Sequence, residues 1–285
     1  MRCVSYNGGM TGFIPTLDQI DELHRRIAPS QAAYDLVHTH CVIVATIARE
    51  LAHHQNALFA HRCELNSAND GTVSANNAGN ANDISNISNA GDGSNRSNSS
   101  DTNDTADVSN SRVVADDGVT GGRVPQRLID EHLVTIGGLL HDIGTYRVFK
   151  HDGADGKPLK FSGKRYILHG LLGYEYLLEQ GVDESIAQFA RNHTGVGLTR
   201  EQVIAQELPL PPDDYAPVNL EQEVVMVADK YHSKSTPPKF LTVEAYTAKA
   251  ARFGEANREH WLALVDQYGV PDVAALAKQY NMRLV

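Results

Sequence analysis

Cysteine is scarce in this 285-residue chain. Cys3, Cys41 and Cys63 show no CxxC or paired spacing, which gives no disulfide framework and fits a reducing cytoplasm. Long apolar runs are missing as well: none approaches the roughly 18 residues that span a bilayer, so no membrane segment is expected. The start MRCVSYNGGMTGF lacks a basic region followed by an apolar one, and the chain reads as soluble and unexported. A basic excess is absent too. Against 25 basic residues stand 35 acidic ones, a formal charge of −10, which disfavours general nucleic-acid binding while leaving room for a local basic pocket. Strand signals are confined to brief Val pairs, so the expected class is all-α.

Asparagine and serine, by contrast, are concentrated in one place. Residues 66–110 hold 12 Asn and 9 Ser, and their six Asp and one Arg account for half of the net charge. Such a stretch buries too little apolar surface to offset chain entropy, so residues 66–118 are expected to be a disordered low-complexity insertion. The rest is enough for one well-buried domain.

Helical patterning runs through that remainder. Thr16 and Gln19 form a capping-box pair ahead of LDQIDELHRRIA, and Pro29 closes it. A second helix begins near Ser30, with Val37, Val44, Ile47 and Leu51 at three- and four-residue steps. After Pro125 comes QRLIDEHLVTIGGLLHDIG, which Gly144 is placed to stop. RYILHGLLGYEYLLEQG, DESIAQFARNH, LTREQVIAQ and LEQEVVMVADKYHS follow as helices, and Val243 to Met282 holds two or three more.

The candidate chemistry lies where His or Asp interrupts an apolar face. Six histidines, His24, His53, His54, His61, His151 and His260, sit in polar contexts and read as solvated surface. His40, in register with the core stripe of the second helix, points inward, whereas His38 faces another way. His141 and Asp142 are adjacent, so both reach one centre only if it lies at a helix end; His132, about 180° away, falls outside. His169 shares a face with Leu172 and Tyr176, and Asp229 ends the apolar run VVMVA, where a carboxylate is costly unless paired or metal-bound. Imidazoles and carboxylates converging without thiolates form a ligand set for Zn, Mn, Fe or Co.

The order His, His-Asp, two further His, then Asp, with HDIG at residues 141–144, resembles the HD-domain superfamily of metal-dependent phosphohydrolases. HC-x-x-VA at residues 40–45, GGLLHDIG, HGLLGYEYL, RNHTGVGLT, PPDDYAP and VVMVADK are similar to its small HDIG-type branch over most of residues 14–236. The resemblance implies an HD-domain helical bundle, split by the insertion into residues 14–65 and 119–236, with residues 237–285 as a C-terminal helical extension. It further implies His40, His141, Asp142 and Asp229 as primary metal ligands, and a second ion on His169 and His193 bridged by Asp142. One or two divalent ions are thus the expected cofactor.

Residues 145–165 carry Arg147, Lys150, Lys157, Lys160, Lys164 and Arg165 against Asp152 and Asp155, a basic loop leaving the HD pair and returning at His169. A phosphate-collecting lid is expected there. Arg147, nearest the metals and suited to bidentate phosphate binding, is its direct ligand, while Lys230 and Lys234 add a second contact. Asp142, Arg147 and Lys230 make the expected catalytic set. The expected reaction is hydrolysis of a small phosphorylated molecule, a nucleotide being one candidate, by metal-activated water. Two other functions are compatible with the motif: a di-iron oxygenase of the same superfamily, and a non-catalytic nucleotide-sensing module.

Overall fold

The computed structural model describes residues 12–76 and 117–285. Ten α-helices carry the fold of these residues: α1 (Leu17–Ile27), α2 (Gln31–Asn76), α3 (Glu131–Leu140), α4 (His169–Glu179), α5 (Glu184–Arg191), α6 (Arg200–Ala205), α7 (Leu220–Asp229), α8 (Val243–Ala250), α9 (Glu255–Tyr268) and α10 (Val273–Gln279). Local chemistry sets several of their ends. Thr16 and Gln19 make both bonds of the capping box on α1, Thr199 and Gln202 do the same on α6, and Asp183 caps α5.

The core has two parts that meet along α2. Val37 and Cys41 pack with Ile20 of α1, Leu140 of α3 and Leu177 of α4. Val44, Ile47 and Leu51 pack instead with Val224 and Val227 of α7 and with Trp261 and Tyr268 of α9. His40 lies on α2 between the two sets. Residues 237–285, expected as an extension, share this second core with α2 and α7 through Tyr246, Trp261 and Leu276.

Three expectations need correction. First, α2 does not stop before the insertion: its backbone runs helically to Asn76, past its last core residue, Leu58, because extending a nucleated helix is cheap. Asp117 and Gly118 are also anchored, Asp117 to His54 at 2.9 Å and Gly118 to Asp272 at 2.7 Å. The remainder of the expected disordered loop, residues 77–116, lies outside the described residues. Second, the all-α class holds, but strands are not absent: a few short ones accompany the helices. Val119–Thr120 pairs antiparallel with Val270–Pro271, Phe149–His151 with Lys160–Phe161, and Lys239–Phe240 joins His232–Ser233 to Arg283–Leu284. Third, Gly144 does not terminate α3, which ends at Leu140. It lies in a 3-10 turn (Ile143–Val148) pressed against α4, where a Cβ would meet the His169 carbonyl at 2.0 Å. That contact carries the turn after Asp142 up to the start of α4.

The chain on the two sides of the insertion comes together: Arg62 Nη2 donates to the Pro125 carbonyl at 3.2 Å. No helix among the described residues is long and apolar enough to cross a membrane.

Candidate metal centre

Four helix ends and one mid-helix residue converge between the two core parts. His141 is the C-cap of α3 with Asp142 directly after it, His169 opens α4, His193 follows α5, Asp229 ends α7, and His40 projects from α2. Adjacent His141 and Asp142 reach one point because the helix has stopped there. His40, His141, Asp142 and Asp229 offer ligand atoms within 4.8 Å of one another, and so do Asp142, His169 and His193.

Asp142 belongs to both groups and splits between them. Its Oδ2 is 3.0 Å from His40 Nε2 and 3.7 Å from His141 Nε2, while its Oδ1 is 3.7 Å from the Nε2 of both His169 and His193. Asp229 Oδ1 completes the first group, 3.1 Å from His40 Nε2 and 3.5 Å from His141 Nε2. Thr145 Oγ1 donates to Asp142 Oδ1 at 2.7 Å and fixes the carboxylate plane.

The ring tautomers follow from the outer contacts. Nδ1 of His141, His169 and His193 lies 2.7, 2.6 and 2.7 Å from the carbonyls of Gly138, Tyr166 and Ala190. A carbonyl only accepts, so each Nδ1 carries the proton and each neutral ring turns a bare Nε2 lone pair inward. His169 Nε2 and His193 Nε2 then face each other at 2.9 Å with no proton between them. Two lone pairs at that distance repel unless a cation lies against both. The outer carbonyl bond is also the usual orienting contact of a metal-binding imidazole. This donor set, nitrogen and carboxylate oxygen without thiolate, fits a divalent transition metal.

Protonation does not supply the missing charge. Burial pushes His40 and His169 down to about 3 and His193 to about 4, and it holds His141 well below the ordinary value. Burial by itself would raise the Asp229 carboxyl, but the Lys230 ammonium beside it acts the other way, and the group lies well below the usual range. Lys230 Nζ sits 2.7 Å from Asp229 Oδ2 and 2.9 Å from the His193 carbonyl, tying the end of α7 to the end of α5. Lys234 Nζ bonds Asp142 Oδ2 and lies 3.2 Å from His40 Nε2.

Beside this cluster lies a cavity of about 420 Å³, with His169, His193, Asp229, Lys230 and Lys234 in its wall. His40 and His141 do not line it.

Residues 114–234 match the family model of the HD domain. Over that part, which is less than half of its length, the chain is an HD domain. The match takes in His141, Asp142, His169, His193 and Asp229; His40 lies ahead of it, on α2. An uncharacterised protein of Methanocaldococcus jannaschii is 43% identical over 101 residues, 35% of this chain and 49% of that protein. The tRNA (cytidine(56)-2'-O)-methyltransferases of Picrophilus torridus and Thermoplasma volcanium are 35% and 33% identical over 100 residues, 24% of each enzyme. The match thus spans about half the length of the first relative and about a quarter of the other two. Among solved structures, the HD domain of L. monocytogenes phosphodiesterase PgpH aligns over 92% of this chain and 98% of its own, with 13% identity and a TM-score of 0.39. Its complex with cyclic-di-AMP aligns at 12% identity and a TM-score of 0.38. Likeness at that level carries no argument.

Within the HD domain the expected ligands all come together, but the basic loop does not join them. Arg147 Nη2 donates to Glu179 on α4 at 2.9 Å and its guanidinium stacks 5.2 Å over Tyr176; it does not line the cavity. The 3-10 turn after Asp142 carries it outward. None of Lys150, Lys157, Lys160, Lys164 and Arg165 lines the cavity either, because residues 149–161 fold back on themselves as a strand pair.

Two histidines expected on the surface are core residues. His24 is buried, Nε2 at 2.8 Å from the Leu139 carbonyl and Nδ1 at 3.0 Å from the Tyr146 hydroxyl; His54 is held by Asp117 and the Gly121 carbonyl. One site residue had no place in the sequence reading. His232 is buried with its Nδ1 2.7 Å from His40 Nδ1, and its Nε2 is 3.4 Å from the Met282 sulfur. It therefore holds the outer nitrogen of His40, as carbonyls hold the other three rings.

Proposed function

We infer that this HD domain is a metal-dependent phosphohydrolase acting on a small phosphorylated molecule, with two divalent ions flanking Asp142. The division of Asp142 between two groups, Oδ2 toward His40 and His141 and Oδ1 toward His169 and His193, is the observation that carries this reading. His40, His141, Asp142 and Asp229 would hold one ion, and Asp142, His169 and His193 the other. Such ions polarise a phosphoryl oxygen and bring the pKa of a bound water near neutrality.

The remaining work falls to the chain. Lys230 holds Asp229 in place and neutralises it, which makes it a positioning residue more than a phosphate contact. Lys234 is the cavity-lining ammonium closest to Asp142, so it is the cation that meets the scissile phosphoryl group. Val196, Leu198 and Leu241 add apolar surface to the lining, which strengthens charge contacts made against it.

A screen of the manganese- or iron-loaded protein across phosphomonoesters, cyclic nucleotides and dinucleoside polyphosphates tests this. Phosphate ester hydrolysis that a chelator abolishes is the expected result. Oxygen consumption by the iron-loaded protein, with no ester cleaved, would replace it with the oxygenase reading.

A further inference from the structure

Part of the lining of the cavity beside the metal cluster comes from residues outside the HD-domain match. Tyr246, Lys249 and Ala250 of α8, Phe253, and Asn257 of α9 are among them. Here the chain turns from α8 through a 3-10 segment (Ala251–Phe253) to Gly254, whose φ of +113° suits glycine, and into α9. Asn257 Nδ2 donates to the Phe253 carbonyl at 2.8 Å and holds the turn. Phe253, which lines the cavity, remains 63% exposed, although most large apolar side chains of α8 and α9 are packed in the core.

Charge sets this part of the lining apart from the metal side. Lys230 and Lys234 are committed to Asp229 and Asp142. Lys249 lies 5.5 Å over the Tyr246 ring, and no carboxylate pairs with it among the described residues. The charges acting on it are Lys230, Arg252 and Lys239 against the single carboxylate of Asp229. Asp229 is also the only carboxylate lining the cavity. In a chain of net charge −10 the cavity is thus locally cationic, with its one uncommitted lysine on α8, outside the HD-domain match. A volume of about 420 Å³ suits a ligand larger than a phosphate ion.

We propose that Lys249 and Phe253 form a second subsite, in which Phe253 packs on the uncharged body of the substrate and Lys249 binds a second anionic group remote from the scissile phosphoryl. The subsite rests on the phosphohydrolase reading and narrows it: the preferred substrate carries two separated negative groups on an apolar or planar body. Its scissile phosphoryl lies at Asp142 and Lys234, and the second group at Lys249.

Calorimetric titration of the manganese-loaded full chain with adenosine 5′-monophosphate and adenosine 3′,5′-bisphosphate tests this. Wild type should bind the bisphosphate about tenfold tighter than the monophosphate, as one added charge contact of ~1.4 kcal/mol gives. Lys249→Ala should bring that ratio below about twofold at unchanged metal content, and Lys249→Arg should keep most of it. Phe253→Ala should weaken both ligands alike. Lys239→Ala removes a neighbouring charge that does not line the cavity and should leave the ratio intact. An unchanged ratio in Lys249→Ala, or an equal loss in Lys239→Ala, overturns the subsite while the phosphohydrolase reading stands. Wild-type protein that binds neither ligand and cleaves no ester removes both.

Discussion

The two groups of ligands around Asp142 differ in access. His40 and His141 do not line the cavity, although Asp229 of their group does, and the outer nitrogen of His40 is held by His232. His169 and His193 stand in the cavity wall, each steadied only by a carbonyl one turn back along its own chain segment. On the two-ion reading the first side would retain an ion and the second present one. Only His40 takes its orienting contact from a distant part of the chain; His141, His169 and His193 each take theirs from a carbonyl three residues back.

Removing the shared residue should have the largest effect. Asp142→Ala should lose both ions and activity by more than about a thousandfold, since a ligand and its charge go together. His169→Ala combined with His193→Ala should be more selective: metal analysis should fall from near two ions per chain to near one. Two ions retained in that double variant would erase the distinction between the sides.

His232→Ala sharpens the contrast from the His40 side. Metal affinity should drop about 10- to 100-fold, the usual cost of losing an orienting partner, with the loss confined to the more tightly held ion. A loss of the weaker ion instead would reverse the assignment of retention and entry.

Acid should act on both sides. Each buried ring has its folded pKa pushed below the unfolded value, so above about pH 6.5 the metal-free protein keeps the full stability these groups allow. As the pH falls from there toward 3, the unfolded chain takes up protons that the folded rings refuse, and stability is lost. Thermal melts of the metal-free protein should show Tm falling over that window.

The smallest effect belongs to the insertion. About a dozen helical residues, roughly 18 Å, separate His54, which holds Asp117, from Asn66. A Gly-Ser bridge of about a dozen residues spans that distance. Replacing residues 67–116 with it should leave Tm within a few degrees of wild type and both ions bound, because loop-closure entropy changes slowly with length.

Much of the ligand set was legible because the information is periodic or local. His40 keeps step with Val37, Val44 and Ile47, and HDIG marks a helix end. His232 was not legible, since it lies on a two-residue strand paired with Lys239–Phe240, which Arg283–Leu284 joins on its other edge from the far end of the chain. His24 sits in a charged stretch of α1, and only the Leu139 carbonyl, 115 residues away, makes it a core residue. Arg147 misled for the opposite reason. It is close to the HD pair along the chain, but the 3-10 turn aims it at Glu179. The number of cations in a segment says nothing of which cavity they face, and the cavity gained Lys249 from a helix whose sequence shows no motif.

The order of synthesis gives the ribbon at residues 232–284 a further meaning. His40 leaves the ribosome early, whereas Met282, which touches the His232 ring holding its outer nitrogen, emerges more than 240 residues later. A nascent chain therefore carries all six candidate ligands well before the contacts behind His40 are complete. Translation that stops between residues 234 and 282 would yield a product with every candidate ligand present and the surroundings of His40 unfinished.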